Sequence, residues 1–160
     1  MQYQIIDLPG FGYMKRASKR REEDIKSRIV SYIEKHHQDC FLALIIINIL
    51  RIDDEIKKYY IDNQTTIPLS FELINFLREL SIPILIVINK IDKVSSLDKK
   101  KSISLFVETS RDYNIPLSGF KEITDLSNKF VNYIEFSALK KTNLHDLKKI
   151  IKYFLITSDS

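Results

Sequence analysis

The sequence predicts an α/β domain of the doubly wound type, built around a mostly parallel sheet. Two runs, Phe41–Ile49 and Ile84–Ile88, are apolar at almost every position, which is typical of strands buried on both faces. The segments around them repeat apolar residues at helical spacing. With 160 residues and 44% hydrophobic content, the chain can form about one domain with its own core. We therefore expect a single domain over residues 1–160.

The first elements are a short strand, a helix and a buried strand. Tyr3–Asp7 has the composition of a strand and is ended by Pro9 and Gly10. The spacing of apolar residues predicts a helix over Glu22–His36, and the strand at Phe41–Ile49 follows it. The apolar face of this helix carries Ile25, Ile29, Tyr32 and Ile33.

The middle of the chain predicts two helices before the second buried strand. Asp53–Tyr60 suits a short polar helix, and Ser70 stands where it could cap the helix after it. The buried side of that second helix is expected to consist of Phe71, Ile74, Leu77 and Leu80. The strand at Ile84–Ile88 comes next.

The last part of the chain predicts a helix, a strand and a final helix. Ser95 or Ser96 would cap a helix that runs to about Arg111. Val131–Phe136 is predicted to be the last strand, and Asn143 the N-cap of the last helix. The inward residues of that helix are expected to be Leu144, Leu147, Ile151 and Phe154. This alternation predicts the doubly wound fold, in which ligand sites lie at the carboxyl ends of the strands.

Composition and charge exclude few classes of protein. The net charge of +4 and the pI near 9.0 allow contact with nucleic acid, but acidic residues are mixed throughout. Cys40 is the only cysteine, so it cannot form an internal disulfide and suits a small buried apolar position. The longest apolar run, Cys40–Leu50, is shorter than the roughly 20 residues of a membrane helix. The N-terminus lacks the pattern of a signal peptide. Together these features predict a cytoplasmic protein without a membrane partner.

Asn89–Asp92, with the sequence Asn-Lys-Ile-Asp, directly follows the second buried strand and suits recognition of guanine. Guanine presents an N1–H and an exocyclic amino group side by side, and the Asp92 carboxylate can accept both. Adenine lacks this pair of donors and would leave the carboxylate unpaired, a penalty of about 1–3 kcal/mol. The Asn89 amide can hold the loop together, and the Lys90 stem can lie over the base. Taken alone, the string could also be a polar turn with an incidental aspartate.

Ser137–Lys140, with the sequence Ser-Ala-Leu-Lys, follows the last strand and supplies a second loop. The Ala138 N–H is a candidate donor to guanine O6, with Ser137 stabilising the loop and Leu139 beside them. Because parallel strands bring their carboxyl ends to one edge of the sheet, the two loops are expected to meet there. Their order along the chain favours a site for GTP or GDP.

Asp7–Gly10, with the sequence Asp-Leu-Pro-Gly, is a weaker third motif. Asp7 could organise a Mg²⁺ bound to nucleotide, and Gly10, after Pro9, could offer its N–H to a terminal phosphate. The same residues could instead form a strand end and turn with a capping aspartate. Phe11 follows, and an aromatic ring cannot orient an attacking water, so hydrolysis is expected to be slow. No catalytic residue is predicted.

A basic segment, Lys15–Arg21, lies between this motif and the first helix. Its cations could contact RNA phosphates, and a solvated loop is an equally good interpretation. The sequence leaves both alternatives open.

The motifs together resemble the EngB (YihA) family of the TrmE-Era-EngA-EngB-type P-loop GTPases, and its archaeal members in particular. The resemblance extends over essentially the whole chain. The strings that carry it are Asp7–Met14, Arg51, Leu77–Leu80, Ile82-Pro83, Asn89–Lys93 and Ser137–Lys140.

The resemblance implies a three-layer P-loop GTPase fold with a mostly parallel sheet. It also implies binding of GTP and GDP with Mg²⁺, slow GTP hydrolysis, and a role in assembly of the large ribosomal subunit. A role in cell division and septation is implied in the same way. The partners would be ribosomal RNA or the large ribosomal subunit, and the expected state is a cytoplasmic monomer.

The sequence departs from the family in one respect, because Gly-x-x-x-x-Gly-Lys-Ser/Thr occurs nowhere in the 160 residues. The expectation is an N-terminally truncated G domain that lacks the first two strands and the first helix. Without the N–H cradle for phosphates, the chain should bind guanine nucleotide weakly or not at all. One hypothesis is that the recorded start lies too late. The others are a GTPase relic that binds the ribosome or a protein without nucleotide, and a chance match. Retention of Asn89, Asp92 and Ser137 favours the first.

Overall fold

Four parallel strands form a single sheet at the centre of the fold. The computed structural model describes residues 3–10, 19–62, 67–126 and 129–158. The strands are β1 (Ala43–Asn48), β2 (Ile84–Asn89), β3 (Leu117–Gly119) and β4 (Val131–Glu135). Their order across the sheet is β1-β2-β4-β3, and every neighbouring pair is parallel.

Helices lie on both faces of this sheet. They are α1 (Lys19–His36), α2 (Ile49–Ile56), α3 (Leu69–Glu79), α4 (Ser96–Asp112) and α5 (Leu144–Thr157). One apolar cluster joins the sheet to α2, α3 and α4, and a second joins the opposite face to α5. The arrangement confirms the predicted three-layer α/β fold. No helix in the described ranges combines the length and apolar character needed to cross a bilayer.

Strand β2 is buried on both faces, as its unbroken apolar run predicted. Ile86 and Ile88 belong to the cluster with α2, α3 and α4, while Leu85 and Val87 belong to the cluster with α5. Its alternating side chains serve two layers because β2 has a neighbouring strand on each side and helices above and below.

Strand β1 is buried on one face only, so the prediction of full burial was wrong. Ile45 is 8% exposed and Ile47 is also buried, whereas Leu44 is 41% and Ile46 is 60% exposed. β1 stands at the edge of the sheet, and α5 covers the second face over β2 and β4. Among the described elements, none covers that face over β1. An apolar run therefore did not distinguish a central strand from an edge strand.

The strand predicted at Tyr3–Asp7 is absent, since residues 3–10 form neither helix nor strand. Ile5 and Ile6 are exposed, and the Tyr3 ring contacts Phe41 edge-on at 6.5 Å between centroids. A strand needs a partner for its backbone N–H and C=O groups, and the described residues supply none for this segment. Phe11 and most of the basic segment after it lie outside the described residues.

Of the three predicted helix caps, one is misplaced, one lacks the expected side-chain bond and one is confirmed. Ser70 lies inside α3, where its N–H and hydroxyl both donate to Glu55 Oε1 at 2.8 and 2.7 Å. Asn143 is the N-cap residue of α5, as predicted, with a left-handed backbone. Its side chain makes no capping bond, because its Nδ2 donates to the Glu135 carbonyl at 2.8 Å. The third cap is confirmed, because Ser95 Oγ accepts from the Asp98 N–H at 3.1 Å.

One other helix begins earlier than predicted, and one strand was not predicted. α2 begins directly after β1 at Ile49, four residues before the predicted Asp53, and continues into a π-helical turn at Lys57–Ile61. The three-residue strand β3 was not predicted at all. Asn48 allows the early start of α2, because its side chain accepts from the Leu50 N–H at 3.2 Å and caps the helix.

Candidate nucleotide-base site

The loops after β2 and β4 meet at the carboxyl edge of the sheet. β2 pairs with β4, and the register places Ile88 beside Glu135. Backbone hydrogen bonds continue past the ends of both strands. The Phe136 N–H donates to the Ile88 carbonyl at 2.8 Å, and the Ile91 N–H donates to the Phe136 carbonyl at 3.3 Å. The two loops are thus held as one unit by the backbone.

Asn89 is the side chain that joins these loops. Its Oδ1 accepts from the Lys90 N–H at 2.7 Å and from the Ala138 N–H at 3.1 Å. Lys90 has a left-handed backbone with φ of 68°, which is unfavourable for a residue with a side chain. The bond from Asn89 stabilises that turn and fixes the start of the second loop against it.

Asp92 is oriented by Ser137. The Ser137 hydroxyl donates to Asp92 Oδ1 at 2.6 Å, while Lys93 Nζ lies 3.7 Å from Asp92 Oδ2. The hydrogen bond from Ser137 lowers the pKa of Asp92, the charges of Lys93 and Lys140 lower it further, and desolvation opposes them. Asp92 is therefore a carboxylate at neutral pH, as an acceptor for two base N–H groups must be.

Ser137 is fully buried and has several partners. Besides donating to Asp92, its Oγ accepts from the Lys140 N–H at 3.0 Å. Its backbone carbonyl accepts from the Thr142 N–H at 3.1 Å, in an isolated bridge. Sequence reasoning assigned Ser137 to the loop alone. Its contact with Asp92 spans 45 positions along the chain, and no local signal marked that contact.

A cleft of about 310 Å³ opens beside these residues. Its lining combines polar groups from the two loops with apolar side chains. One of these apolar side chains, Leu50, comes from α2. The lining residues are Leu50, Asn89, Lys90, Asp92, Lys93, Ala138 and Leu139. The structure thus brings the predicted residues of the two loops to the cleft, except Ser137, which is buried and hydrogen-bonded to Asp92. It adds Lys93 and Leu50, which sequence reasoning did not assign to the site. The signal for Leu50 was its position just after β1, at the same edge of the sheet.

The Ala138 N–H has a protein acceptor in this structure. It points to Asn89 Oδ1, which also receives the Lys90 N–H. A ligand carbonyl oxygen in the cleft would have to share the Ala138 N–H with Asn89 Oδ1 or displace Asn89 Oδ1 from it. The predicted bond from Ala138 to guanine O6 stays a prediction.

Asp7, Pro9 and Gly10 do not line this cleft. All three are exposed, and a Cβ placed on Gly10 would meet nothing within 4 Å. In the described part of the chain, no group of three or more His, Cys, Asp and Glu side chains could hold a metal ion. Mg²⁺ usually keeps several waters and is bound through one or two carboxylates together with substrate phosphates, so one exposed carboxylate does not by itself define a Mg²⁺ site. The described residues alone do not define a metal centre, and the role of Asp7 toward a nucleotide-bound Mg²⁺ stays a prediction.

Comparison with known proteins finds several relatives that are named as probable GTP-binding protein EngB. The "Probable GTP-binding protein EngB" of Pyrococcus horikoshii is 32% identical over 134 residues, which cover 83% of this chain and 59% of the relative. That of Methanosarcina barkeri is 29% identical over 157 residues, which cover 93% of this chain and 71% of the relative. The crystal structure of "a probable GTP-binding protein engB" superposes with a TM-score of 0.73 at 27% identity, covering 94% of this chain and 75% of that one. The chain is similar to EngB proteins over most of its length.

The match to EngB proteins is partial in length. The chain spans 59% of the Pyrococcus horikoshii relative and 45% of the Pyrococcus abyssi relative, less than two thirds of either. The translation elongation factor SelB of Methanococcus maripaludis shares the fold, with a TM-score of 0.52 at 19% identity. No protein-family profile matches the chain.

Proposed function

We propose that this chain, which is similar to EngB proteins, recognises guanine nucleotides through the cleft between its β2 and β4 loops. The observation that carries the proposal is the Asp92 carboxylate, held at the cleft by the Ser137 hydroxyl at 2.6 Å and kept ionised at neutral pH. The names of the EngB relatives support the choice of a guanine nucleotide as ligand.

Recognition of the base would follow from the acceptors that this carboxylate offers. Each carboxylate oxygen has about two acceptor positions, so Asp92 Oδ1 can accept from Ser137 and still serve a ligand. Guanine N1–H and its 2-amino group would donate to the two oxygens together. Adenine has an unprotonated N1 and no 2-amino group, so its binding would desolvate the carboxylate without replacing its hydrogen bonds to water.

Asn89 would act on the base indirectly as a positioning residue. Because its Oδ1 holds the Lys90 and Ala138 N–H groups, it fixes the spacing between the two loops that would enclose the base. Lys90, with its exposed side chain, could lay its methylene stem over the ring. The geometry supports an edge contact from Asp92 and a face contact from Lys90 as parts of this proposal.

The base should account for most of the binding energy in this chain. The 160 residues contain no Gly-x-x-x-x-Gly-Lys-Ser/Thr string, which would supply a cradle of N–H groups for phosphate, and no glycine is among the described residues that line the cleft. We predict that guanosine, GMP and GDP bind with dissociation constants within about threefold of one another, and that adenosine does not compete. Equilibrium competition against a fluorescent guanosine derivative measures all four.

Two results would contradict this prediction in different ways. GDP that binds far more tightly than guanosine would mean that the chain supplies a phosphate site of its own. Adenosine that competes as well as guanosine would mean that Asp92 does not select the base. If guanosine does not bind at all, the result would favour the alternative of a nucleotide-independent module that binds the ribosome or a protein. This alternative is supported by the absence of a Gly-x-x-x-x-Gly-Lys-Ser/Thr string, the usual phosphate-binding loop, from the 160 residues.

The wider role that we propose rests on similarity to EngB proteins. It comprises slow GTP hydrolysis with Mg²⁺ bound alongside the nucleotide, assembly of the large ribosomal subunit, and cell division with septation, in a cytoplasmic monomer. The net charge of +4 is compatible with ribosomal RNA as a partner. Co-sedimentation with large ribosomal subunits over a range of salt concentrations tests that partner, because binding to phosphates weakens as salt rises.

A further inference from the structure

Leu50 stands at the cleft because of how β1 ends. Asn48 is the last residue of β1 and pairs in register with Asn89, the last residue of β2. The Asn48 side chain caps α2 by accepting from the Leu50 N–H at 3.2 Å. The first turn of α2 is thereby fixed next to the loop after β2, and Leu50 becomes part of the cleft lining.

Packing does not explain why Leu50 has this orientation. The buried residues of α2 are Ile49, Ile52 and Ile56, which join the cluster between the sheet and the helices. Leu50 is 49% exposed and does not belong to either apolar cluster. A single exposed leucine is ordinary on a protein surface. Here a second one, Leu139, is 69% exposed and lines the same cleft.

Two aliphatic side chains beside a fixed carboxylate suit a flat heterocyclic ligand. Binding sites for small molecules are mostly apolar and contain a few polar groups that set the orientation. A purine has polar groups on its edge and apolar faces above and below. Asp92 can accept from the edge, whereas the faces need apolar contacts that a charged loop alone would not supply.

We propose that Leu50 is a base-contacting residue that packs against one face of the bound guanine, with Asn48 as the residue that positions it. The inference rests on the proposed function and adds to it a contact from a third strand end, beyond the two loops that carry the motifs. It predicts that affinity for the base depends on Leu50 even though its removal leaves the core unchanged.

The test compares Leu50→Ala with Leu97→Ala in the 160-residue chain. Leu97 is a matched control, because it is 62% exposed in the first turn of α4 and does not line the cleft. We expect Leu50→Ala to raise the dissociation constant for guanosine by about three- to tenfold, the loss expected when a half-exposed leucine no longer covers a ligand. Leu97→Ala should leave it unchanged. Both variants should keep the thermal midpoint, since neither side chain is buried.

A second measurement detects the contact itself. In a chain with labelled leucine methyl groups, nuclear Overhauser effects should connect the Leu50 methyls to H8 or H1′ of bound guanosine, and none should involve Leu97. Unchanged affinity in Leu50→Ala without such effects would overturn the contact while the guanine site stands, provided that Asp92→Asn still weakens guanosine binding at least tenfold. Absence of guanosine binding to the unaltered chain would overturn both the site and the contact.

Discussion

Asp92→Asn should weaken guanosine binding by about ten- to a hundredfold. The substitution keeps the size of the side chain and replaces one acceptor oxygen by an NH₂ group, which would face a donor on guanine. Hydrogen bonds to a charged partner contribute about 1.5–3 kcal/mol each, so the loss of one of them gives an effect of this size. Competition titrations with guanosine and adenosine measure the change.

Xanthosine supplies the matched ligand for this variant. Xanthine carries a carbonyl at C2 where guanine carries an amino group, so the asparagine amide could donate to it. We therefore expect Asp92→Asn to prefer xanthosine over guanosine, the reverse of the unaltered chain. If the variant binds guanosine as well as the unaltered chain does, Asp92 is not the base acceptor.

The pH dependence of binding tests the contact between Asp92 and Ser137. Because the Ser137 hydroxyl lowers the pKa of Asp92, the carboxylate that accepts from guanine persists below the usual range of an aspartate. Guanosine binding should be constant above that range and be lost only as the pH falls through the lowered pKa. Ser137→Ala should move this loss to higher pH. An identical profile in the two proteins would exclude the contact as the cause.

Ile45→Ala and Ile46→Ala should have very different effects on stability. Both change isoleucine to alanine on β1, but Ile45 is 8% exposed and Ile46 is 60% exposed. We expect Ile45→Ala to lower the free energy of unfolding by about 2–4 kcal/mol, because it leaves a cavity in the cluster between the sheet and α2, α3 and α4. Ile46→Ala should cost below about 1 kcal/mol, since its side chain already meets solvent. Urea unfolding of the two variants measures the difference.

Equal costs at Ile45 and Ile46 would contradict the description of β1 as a half-buried edge strand. They would mean that the second face is covered in solution. Sedimentation velocity at several protein concentrations would then tell whether a second copy covers it, because an exposed apolar edge strand is a common site of self-association. A monomer with unequal costs agrees with the structure.

The elements that sequence reasoning predicted best are those determined by local patterns. β2 shows an unbroken apolar run and α4 a serine cap, and both formed close to the predicted bounds. β1 and the segment at Tyr3–Asp7 were predicted less well, because burial and strand formation depend on neighbours that are distant in sequence. Leu44 and Tyr3 are residue types that favour strands. Whether a neighbouring strand or a covering helix lies beside them depends on the whole sheet.

In the candidate site too, residues that stand in local sequence strings were predictable, and contacts between distant segments were not. Asn89, Asp92 and Ala138 were predictable because each stands in a short string directly after a strand, and parallel strands bring such strings to one edge. The hydrogen bond from Ser137 to Asp92 and the place of Leu50 were not predictable. They depend on side-chain geometry between segments that are far apart along the chain.

Backbone amide spectra of the ¹⁵N-labelled chain, recorded during titration with guanosine and separately with adenosine, test the central claim most directly. The account predicts that guanosine shifts the signals of Lys90, Asp92 and Ala138, while signals of α4 around Ser104 stay in place. Adenosine should shift none of them. If the three cleft signals stay in place with millimolar guanosine, or move equally with adenosine, the cleft is not a guanine site.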